Sequence, residues 1–215
     1  MTSFERVTEM PVSSQVAIED TRVWLERAVI GLNLCPFAKS VHVKGQIHYA
    51  VSRAQTAQEL LQDLISELKE LLALDPSVRD TTLLIAPDCL ADFLDFNDFL
   101  AEADQALLDL ELDGVLQIAN LHPNYQFAGT TANDITNFTN RSPYPTLHLL
   151  REDSIDRAVD AFPEPETIFE KNMQTMERLG VEGWAALGVG RSQGCPVAAP
   201  KEETPSAEVS GRKEE

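Results

Sequence analysis

The sequence has few basic side chains. Lysine and arginine together number 17 against 35 aspartates and glutamates, which gives a formal net charge of −18 at pH 7. It also lacks the lysine and arginine runs that typify proteins binding nucleic acid or anionic membrane surfaces. Because a chain this acidic repels a phosphate backbone, we predict neither a nucleic-acid nor a membrane partner, and the composition leaves the protein partner open.

Cysteines are few and unpaired. Cys35, Cys89 and Cys195 are an odd number without Cys-x-x-Cys spacing, which argues against a disulfide framework and against a structural zinc site. None of the four histidines shows His-x-x-x-His spacing, so no metal site is predicted. The sequence leaves any other cofactor unknown.

A long apolar segment is missing as well. The N-terminal residues are of mixed charge, unlike a secretory signal or a transit peptide. The longest uncharged stretch, 114–133, contains Gln117, Asn120 and His122, whose transfer into a bilayer would be costly. We therefore expect a soluble, cytoplasmic protein.

The length is sufficient for one domain with a sizeable core. Residues 16–191 are predicted to form it. Residues 1–15 are expected to be a flexible N-terminus. Residues 192–215 are rich in proline, serine, alanine, glutamate and lysine, a composition typical of a disordered tail.

Helical periodicity and continuous apolar runs alternate along this domain. A capping box at Thr56 and Glu59 marks the start of the clearest helix. The predicted helices cover 18–32, 60–72, 93–110, 154–161 and 165–179, and the predicted strands cover 47–51, 81–86, 115–119 and 146–150.

This order predicts an α/β fold with about four strands in a mainly parallel sheet and helices packed on it. Strand, helix, strand connections of this length are nearly always parallel and right-handed. The direction of the fourth strand is left open, and an antiparallel fourth strand would make the class α+β.

The connection 120–145 is the first candidate for a functional site. Structureless connections of this length are uncommon inside compact domains and are often functional. Residues 121–151 carry two bases and one acid, whereas residues 88–113 carry nine acids and no base. A neutral or cationic region in an acidic protein favours binding of a small anion, such as a carboxylate or phosphate.

Topology brings an arginine to this loop. His122 follows a strand whose carboxyl end is where ligands bind in parallel sheets. A parallel fourth strand would bring Arg151 beside it, and an antiparallel one would return 140–142. His122 and His148 are therefore the catalytic candidates, as general acid or base. The predicted ligand-binding residues are Tyr125, Asn140, Arg141, Ser142 and Arg151.

Each of these residues also has a structural alternative. His122 could hydrogen-bond loop carbonyls, and His148 could be a satisfied core histidine. Arg141 could pair with Asp134, and Arg151 with the acids that follow it in sequence. Whether the protein is an enzyme at all is left uncertain.

Two other functions remain open. A non-catalytic interaction protein could present the acidic third helix, 92–111, to a basic partner. Thiol-dependent activity at Cys35 is the weaker alternative, because the residue follows a predicted helix, whose carboxyl end raises a thiol pKa. A buried structural cysteine is therefore favoured there.

Four sequence blocks resemble the bacterial family called domain of unknown function 1415. They are Trp24 to Ala38, Phe96 to Leu100, His122 to Thr130 and, most specifically, Thr139 to Glu152 with its Asn-Arg-Ser-Pro-Tyr-Pro motif. The resemblance spans residues 19–187. It implies a cytoplasmic bacterial protein, and the family supplies no established activity.

Overall fold

A computed structural model describes residues 11–161, 164 and 167–192 of the chain. Most of the two predicted flexible ends, 1–15 and 192–215, lies outside the described residues. Within the described part, no helix is long and apolar enough to cross a membrane.

The described residues form a four-stranded sheet of order β1-β2-β4-β3. β1 and β2 are parallel, whereas β4 is antiparallel to both of its neighbours. The strands are β1 (Ile47–Val51), β2 (Thr81–Ile85), β3 (Leu116–Leu121) and β4 (Thr146–Arg151).

The predicted α/β class is confirmed, but the sheet is mixed rather than mainly parallel. The connection from β3 to β4 contains a short 3-10 helix, Ile135–Asn140, and no crossover helix. A connection of this kind returns the chain to the sheet end where β3 finished, so β4 runs in the opposite direction. β4 inserts between β2 and β3, which places its side chains at the centre of the sheet.

Three of the six α-helices described begin at side-chain caps that are visible in the sequence. Ser13 caps the first helix, the Thr56 and Glu59 capping box starts the third, and the Asp92 carboxylate accepts from two backbone N–H groups of the fourth. The helices are α1 (Ser14–Trp24, continuing as a π-helical segment, Leu25–Ile30), α2 (Ala38–Val43), α3 (Ala57–Ala73), α4 (Phe93–Asp109), α5 (Glu152–Asp160) and α6 (Ile168–Ala186).

Two helical features differ from the sequence prediction. α2 was not predicted, because its six residues are too few to show a period. α6 was predicted to end at Gly180, whose φ of 65° does interrupt the helical geometry, but the helix resumes and continues to Ala186.

The two faces of the sheet have different environments. We call one the core face: its side chains, including Leu84, Leu147 and Leu149, pack against the buried leucines and phenylalanines of α3 and α4. The opposite face carries Leu83, His148 and the other residues of alternate register. It is only partly covered, by the π-helical segment, α5 and the end of α6. We call it the cavity face.

Candidate functional site

A cavity of about 1010 Å³ lies over the cavity face. Its walls come from the π-helical segment, the turn 34–37, α2, α5 and one residue of α6. Small-molecule sites typically have volumes of roughly 300–1,000 Å³ and mostly apolar walls with a few polar groups. The cavity is therefore large enough to enclose a metabolite-sized molecule.

His148 lies at the centre of the cavity floor. The strand register sets it between Leu83 of β2 and Ala119 of β3. The adjacent row of the floor holds Thr81, Leu150 and Gln117 in the same order. Alternation along three neighbouring strands thus places three polar side chains on an otherwise apolar floor.

The hydrogen bonds around Thr81 determine the tautomer of His148. The Thr81 hydroxyl donates to the Leu149 carbonyl at 2.6 Å and lies 2.8 Å from Nε2 of His148. Because the hydroxyl has one proton and the carbonyl can only accept, Nε2 must be the donor to Thr81. His148 is then protonated at Nε2, and Nδ1 carries a lone pair. No described residue hydrogen-bonds with Nδ1.

His148 is uncharged at neutral pH. Burial lowers its pKa to about 4, because the sheet and the surrounding walls stabilise the neutral ring over the imidazolium ion. The floor of the cavity therefore presents a neutral acceptor.

The charge of the cavity lining contrasts with that of the whole chain. Among the described residues that line it, Asp80 is the one acid, and three residues are cationic: Lys44, Arg151 and Arg157. The Asp80 carboxylate accepts from Ser154 Oγ at 2.6 Å, and Arg157 donates to the same Oγ at 2.9 Å. Lys44 and Arg157 are exposed, so their charges lie at the solvent edge.

Arg151, predicted as a ligand-binding residue, lines the cavity but uses its guanidinium elsewhere. It donates to the carbonyls of Leu71, of Leu74 at 2.7 Å and of Arg79 at 3.2 Å. The first two carbonyls belong to the end of α3, where carbonyls lack intrahelical partners. Arg151 thus caps α3, rather than pairing with the acids that follow it.

His122, predicted as a catalytic residue, lies outside the cavity and is fully buried. Its Nδ1 accepts from the Asn124 N–H at 3.0 Å, and its Nε2 lies 3.1 Å from the Leu90 carbonyl. The ring packs between Phe93 and Phe96, and burial lowers its pKa to about 4. Both ring nitrogens are occupied by backbone groups, so this arrangement matches the structural alternative.

The remaining loop candidates mostly stabilise the loop itself. Arg141 donates to the carbonyls of Tyr125 at 3.2 Å and Ala132 at 2.7 Å, and its guanidinium lies 4.1 Å from the Phe138 ring centre. Asp134, the partner considered for Arg141, instead caps the 3-10 helix. Ser142 is buried and donates to the Tyr144 carbonyl at 2.6 Å.

The structure therefore divides the predicted site residues into two groups. His122, Arg141 and Arg151 do not share one pocket. The residues outside the cavity lining are His122, Tyr125, Arg141 and Ser142, and those within it are Asn140, His148, Arg151 and Cys35.

Cys35 lies in the turn between the π-helical segment and α2. Burial raises the pKa of its thiol, and hydrogen bonds from the Phe37 and Ala38 N–H groups act in the opposite direction. The sequence did not predict α2, which begins three residues after Cys35, so the predicted surroundings of this thiol were incomplete. In the part of the chain that the structure describes, no group of three or more histidine, cysteine or carboxylate side chains could hold a metal ion.

Several polar residues of the cavity lining were not proposed from the sequence, among them Lys44, Thr81, Gln117 and Arg157. Strand alternation does put Thr81 and Leu83 on one face, but only the strand order reveals that this face is also that of His148. Lys44 and Arg157 follow or belong to short helices with no recognisable motif.

Comparison with curated proteins and with solved structures found no match. A family model described as "Protein of unknown function (DUF1415)" matches residues 16–186, which include every strand and the cavity. This chain therefore belongs to the DUF1415 family of proteins of unknown function.

Proposed function

We propose that this protein binds a small organic anion with an apolar body in the cavity over the sheet. The observation that carries the proposal is the charge of the lining, where one acid meets three cations in a chain of net charge −18, and two of these cations, Lys44 and Arg157, lie at the solvent edge. A local excess of positive charge attracts anions, and it is retained here against the overall composition.

The walls support an apolar body for this ligand. Leu25, Val29, Ile47, Leu121 and Ile155 face the same space as the polar floor residues. An aliphatic or aromatic group placed among them leaves water, which contributes about 25 cal/mol for each Å² of apolar surface buried. The anionic group would then remain near Lys44 and Arg157 at the solvent edge.

The cavity favours this function over the acidic-helix interaction. The exposed apolar residues of α4, Leu94 and Leu108, are four turns apart and form no continuous strip beside its acids. Singly scattered apolar residues are normal on protein surfaces.

A pair of fluorescent probes tests the charge requirement. 1-Anilinonaphthalene-8-sulfonate and N-phenyl-1-naphthylamine share one aromatic body, and only the first is anionic. We expect both to bind with one site per chain. The double variant Lys44→Gln/Arg157→Gln should weaken binding of the sulfonate by roughly tenfold and leave the neutral probe unchanged, since each partly exposed charge contributes about 0.5–1 kcal/mol.

The matched control is Lys69→Gln/Arg178→Gln, which removes two exposed cations outside the cavity lining. It should leave binding of both probes unchanged. Equal losses of sulfonate affinity in the two double variants would mean that net charge, rather than the cavity, attracts the anion.

Cavity filling tests the location. Ala119→Phe adds a ring to the cavity floor beside His148, and Ala101→Phe adds the same ring to an exposed position on α4. We expect the first substitution to reduce binding of both probes at least tenfold and the second to have no effect. Unchanged binding in Ala119→Phe would place the probe site elsewhere and contradict the proposal.

A further inference from the structure

We propose that the anion bound in this cavity carries a hydroxyl group, which donates a hydrogen bond to Nδ1 of His148 and accepts one from the Gln117 side-chain amide. The proposal rests on the proposed function, and it names the class of ligand: a hydroxylated organic anion with an apolar body.

Nδ1 of His148 is a hydrogen-bond acceptor because of the hydrogen bonds that Thr81 and the Leu149 carbonyl make. The Leu149 carbonyl takes the Thr81 proton, and Thr81 in turn takes the Nε2 proton of His148. Nδ1 is left as an acceptor whose adjacent floor residues, Leu83 and Ala119, have apolar side chains. The protein therefore presents a lone pair with a fixed direction and no internal donor.

Gln117 supplies the complementary group. Its position on β3 is diagonal to His148 on β4, two residues from the directly paired Ala119. Diagonal positions on neighbouring strands lie within reach of long side chains, so the Gln117 amide can approach a ligand group that is hydrogen-bonded to His148. No described residue hydrogen-bonds with the Gln117 amide, which lines the same cavity. A hydroxyl both donates and accepts, so one such group satisfies both side chains.

His148 is suited to accept a hydrogen bond rather than to keep a proton. Asp80, the acid of the described lining, accepts from Ser154 Oγ. Burial holds the pKa of His148 at about 4, so a donor that shares its proton with Nδ1 keeps it. The ring therefore distinguishes ligands by the donor they carry.

Selectivity follows from the cost of an unpaired acceptor. A ligand that fills the cavity displaces water from Nδ1, and a ligand without a donor leaves that atom unsatisfied. Sites built to hydrogen-bond a hydroxyl reject analogues that lack it much more strongly than apolar pockets reject an extra methylene. We expect a preference of roughly tenfold or more for the hydroxylated ligand.

The tautomer is tested first, by two-bond ¹H–¹⁵N correlation spectra of the histidine rings, assigned with His148→Phe. The expected result is a neutral ring protonated at Nε2. A ring protonated at Nδ1 would overturn the proposal, since that nitrogen could then only donate.

Binding is tested by displacement of 1-anilinonaphthalene-8-sulfonate with decanoate and with 2-, 3- and 10-hydroxydecanoate. We expect at least one hydroxylated isomer to bind tenfold or more tightly than decanoate. His148→Phe should remove this preference, so that the hydroxylated isomers bind no more tightly than decanoate does in the same variant. The variant retains the Thr81 bond to Leu149, so the sheet loses no backbone partner.

Two further variants separate hydrogen bonding from shape. His148→Asn keeps a carbonyl oxygen near the position of Nδ1 and should retain part of the preference. His48→Phe makes the same change on β1, in the register of the core face, and should retain all of it.

The outcomes distinguish the two proposals. Decanoate binding without a preference for any hydroxylated isomer would overturn the hydroxyl inference and leave the proposed function standing. Failure of the sulfonate probe and of all four carboxylates to bind would overturn both.

Discussion

The core face and the cavity face of the sheet are built from alternating residues of the same strands, and they differ in how completely their side chains are packed against other parts of the protein. On the core face, Leu147 and Leu149 pack against α3 and α4 with almost no exposed surface. On the cavity face, His148 and Leu150, which alternate with them, remain partly accessible. Residues of nearly identical sequence position thus have different roles, packing in one case and a binding surface in the other.

The two buried histidines extend this comparison. Burial lowers the pKa of both His122 and His148 to about 4, so titration alone does not distinguish them. Their hydrogen bonds do. Backbone groups hydrogen-bond with both ring nitrogens of His122. Among the described residues, His148 has a hydrogen-bond partner at Nε2 and none at Nδ1. A free acceptor within a cavity, rather than a shifted pKa, marks the candidate functional histidine.

The largest expected difference between the faces comes from Leu149→Ala and Leu150→Ala. Leu149 is fully buried, so its truncation should leave a new void and lower the free energy of unfolding by about 3–4 kcal/mol. Leu150 borders an existing cavity, so its truncation should cost about 1–2 kcal/mol. Urea unfolding of both variants measures the contrast, and equal losses would mean that the cavity closes in solution.

Acid should destabilise the protein through His122. Its folded pKa of about 4 lies below its unfolded value of 6.5, so the unfolded chain binds the extra proton between these pH values. The contribution of His122 to the free energy of unfolding is fully present above about pH 6.5 and is lost as the pH falls to about 4. The loss is about 3 kcal/mol, since each pKa unit corresponds to about 1.4 kcal/mol.

Urea titrations at intervals from pH 7 to pH 4 measure this slope in the wild type and in His122→Phe, which lacks the titrating ring. The difference between the two curves isolates His122 from the carboxylates that titrate over the same range. Parallel curves would show that His122 is as easily protonated in the folded protein as in the unfolded chain.

At neutral pH, substitution by phenylalanine should separate the two histidines. His122→Phe keeps the contacts with the flanking phenylalanines but leaves the Asn124 N–H and the Leu90 carbonyl without their partner, at a cost of about 2 kcal/mol. His148→Phe leaves no backbone group without its hydrogen-bond partner, so it should lower the free energy of unfolding by less than about 1 kcal/mol. Thermal unfolding compares them, and a larger loss in His148→Phe would assign that ring a structural role.

Much of the fold could be predicted because its elements have strong local signals. The apolar run at Thr81 and the capping box at Thr56 identify β2 and α3 near their observed positions. The direction of β4 had no such signal, since a connection of 26 residues, 120–145, is compatible with either direction. The order of the strands in the sheet therefore could not be predicted from local sequence patterns, although it decides which side chains share a face.

The candidate site was harder to predict for the same reason. An arginine in a loop has the same sequence signal whether its guanidinium binds a ligand or backbone carbonyls, and Arg141 and Arg151 both contact carbonyls here. The cavity lining comes from segments between Trp24 and Asn172. Its positive charge becomes visible only when Lys44 and Arg157, more than a hundred residues apart, are brought together.

The smallest expected effect separates the arginines of the lining by their partners. Arg151→Gln removes a donor from the Leu74 and Arg79 carbonyls, which should lower the free energy of unfolding by about 1–2 kcal/mol. Arg157 is exposed and donates to a serine hydroxyl, so Arg157→Gln should change stability by less than about 0.5 kcal/mol. Binding of 1-anilinonaphthalene-8-sulfonate should show the reverse order because, of these two arginines, Arg157 is the one whose charge is available to an anion at the solvent edge. Suppose instead that Arg151→Gln weakened probe binding more than Arg157→Gln did and left the free energy of unfolding unchanged. The anion would then be held at the end of α3, and the division between structural and binding arginines would be wrong.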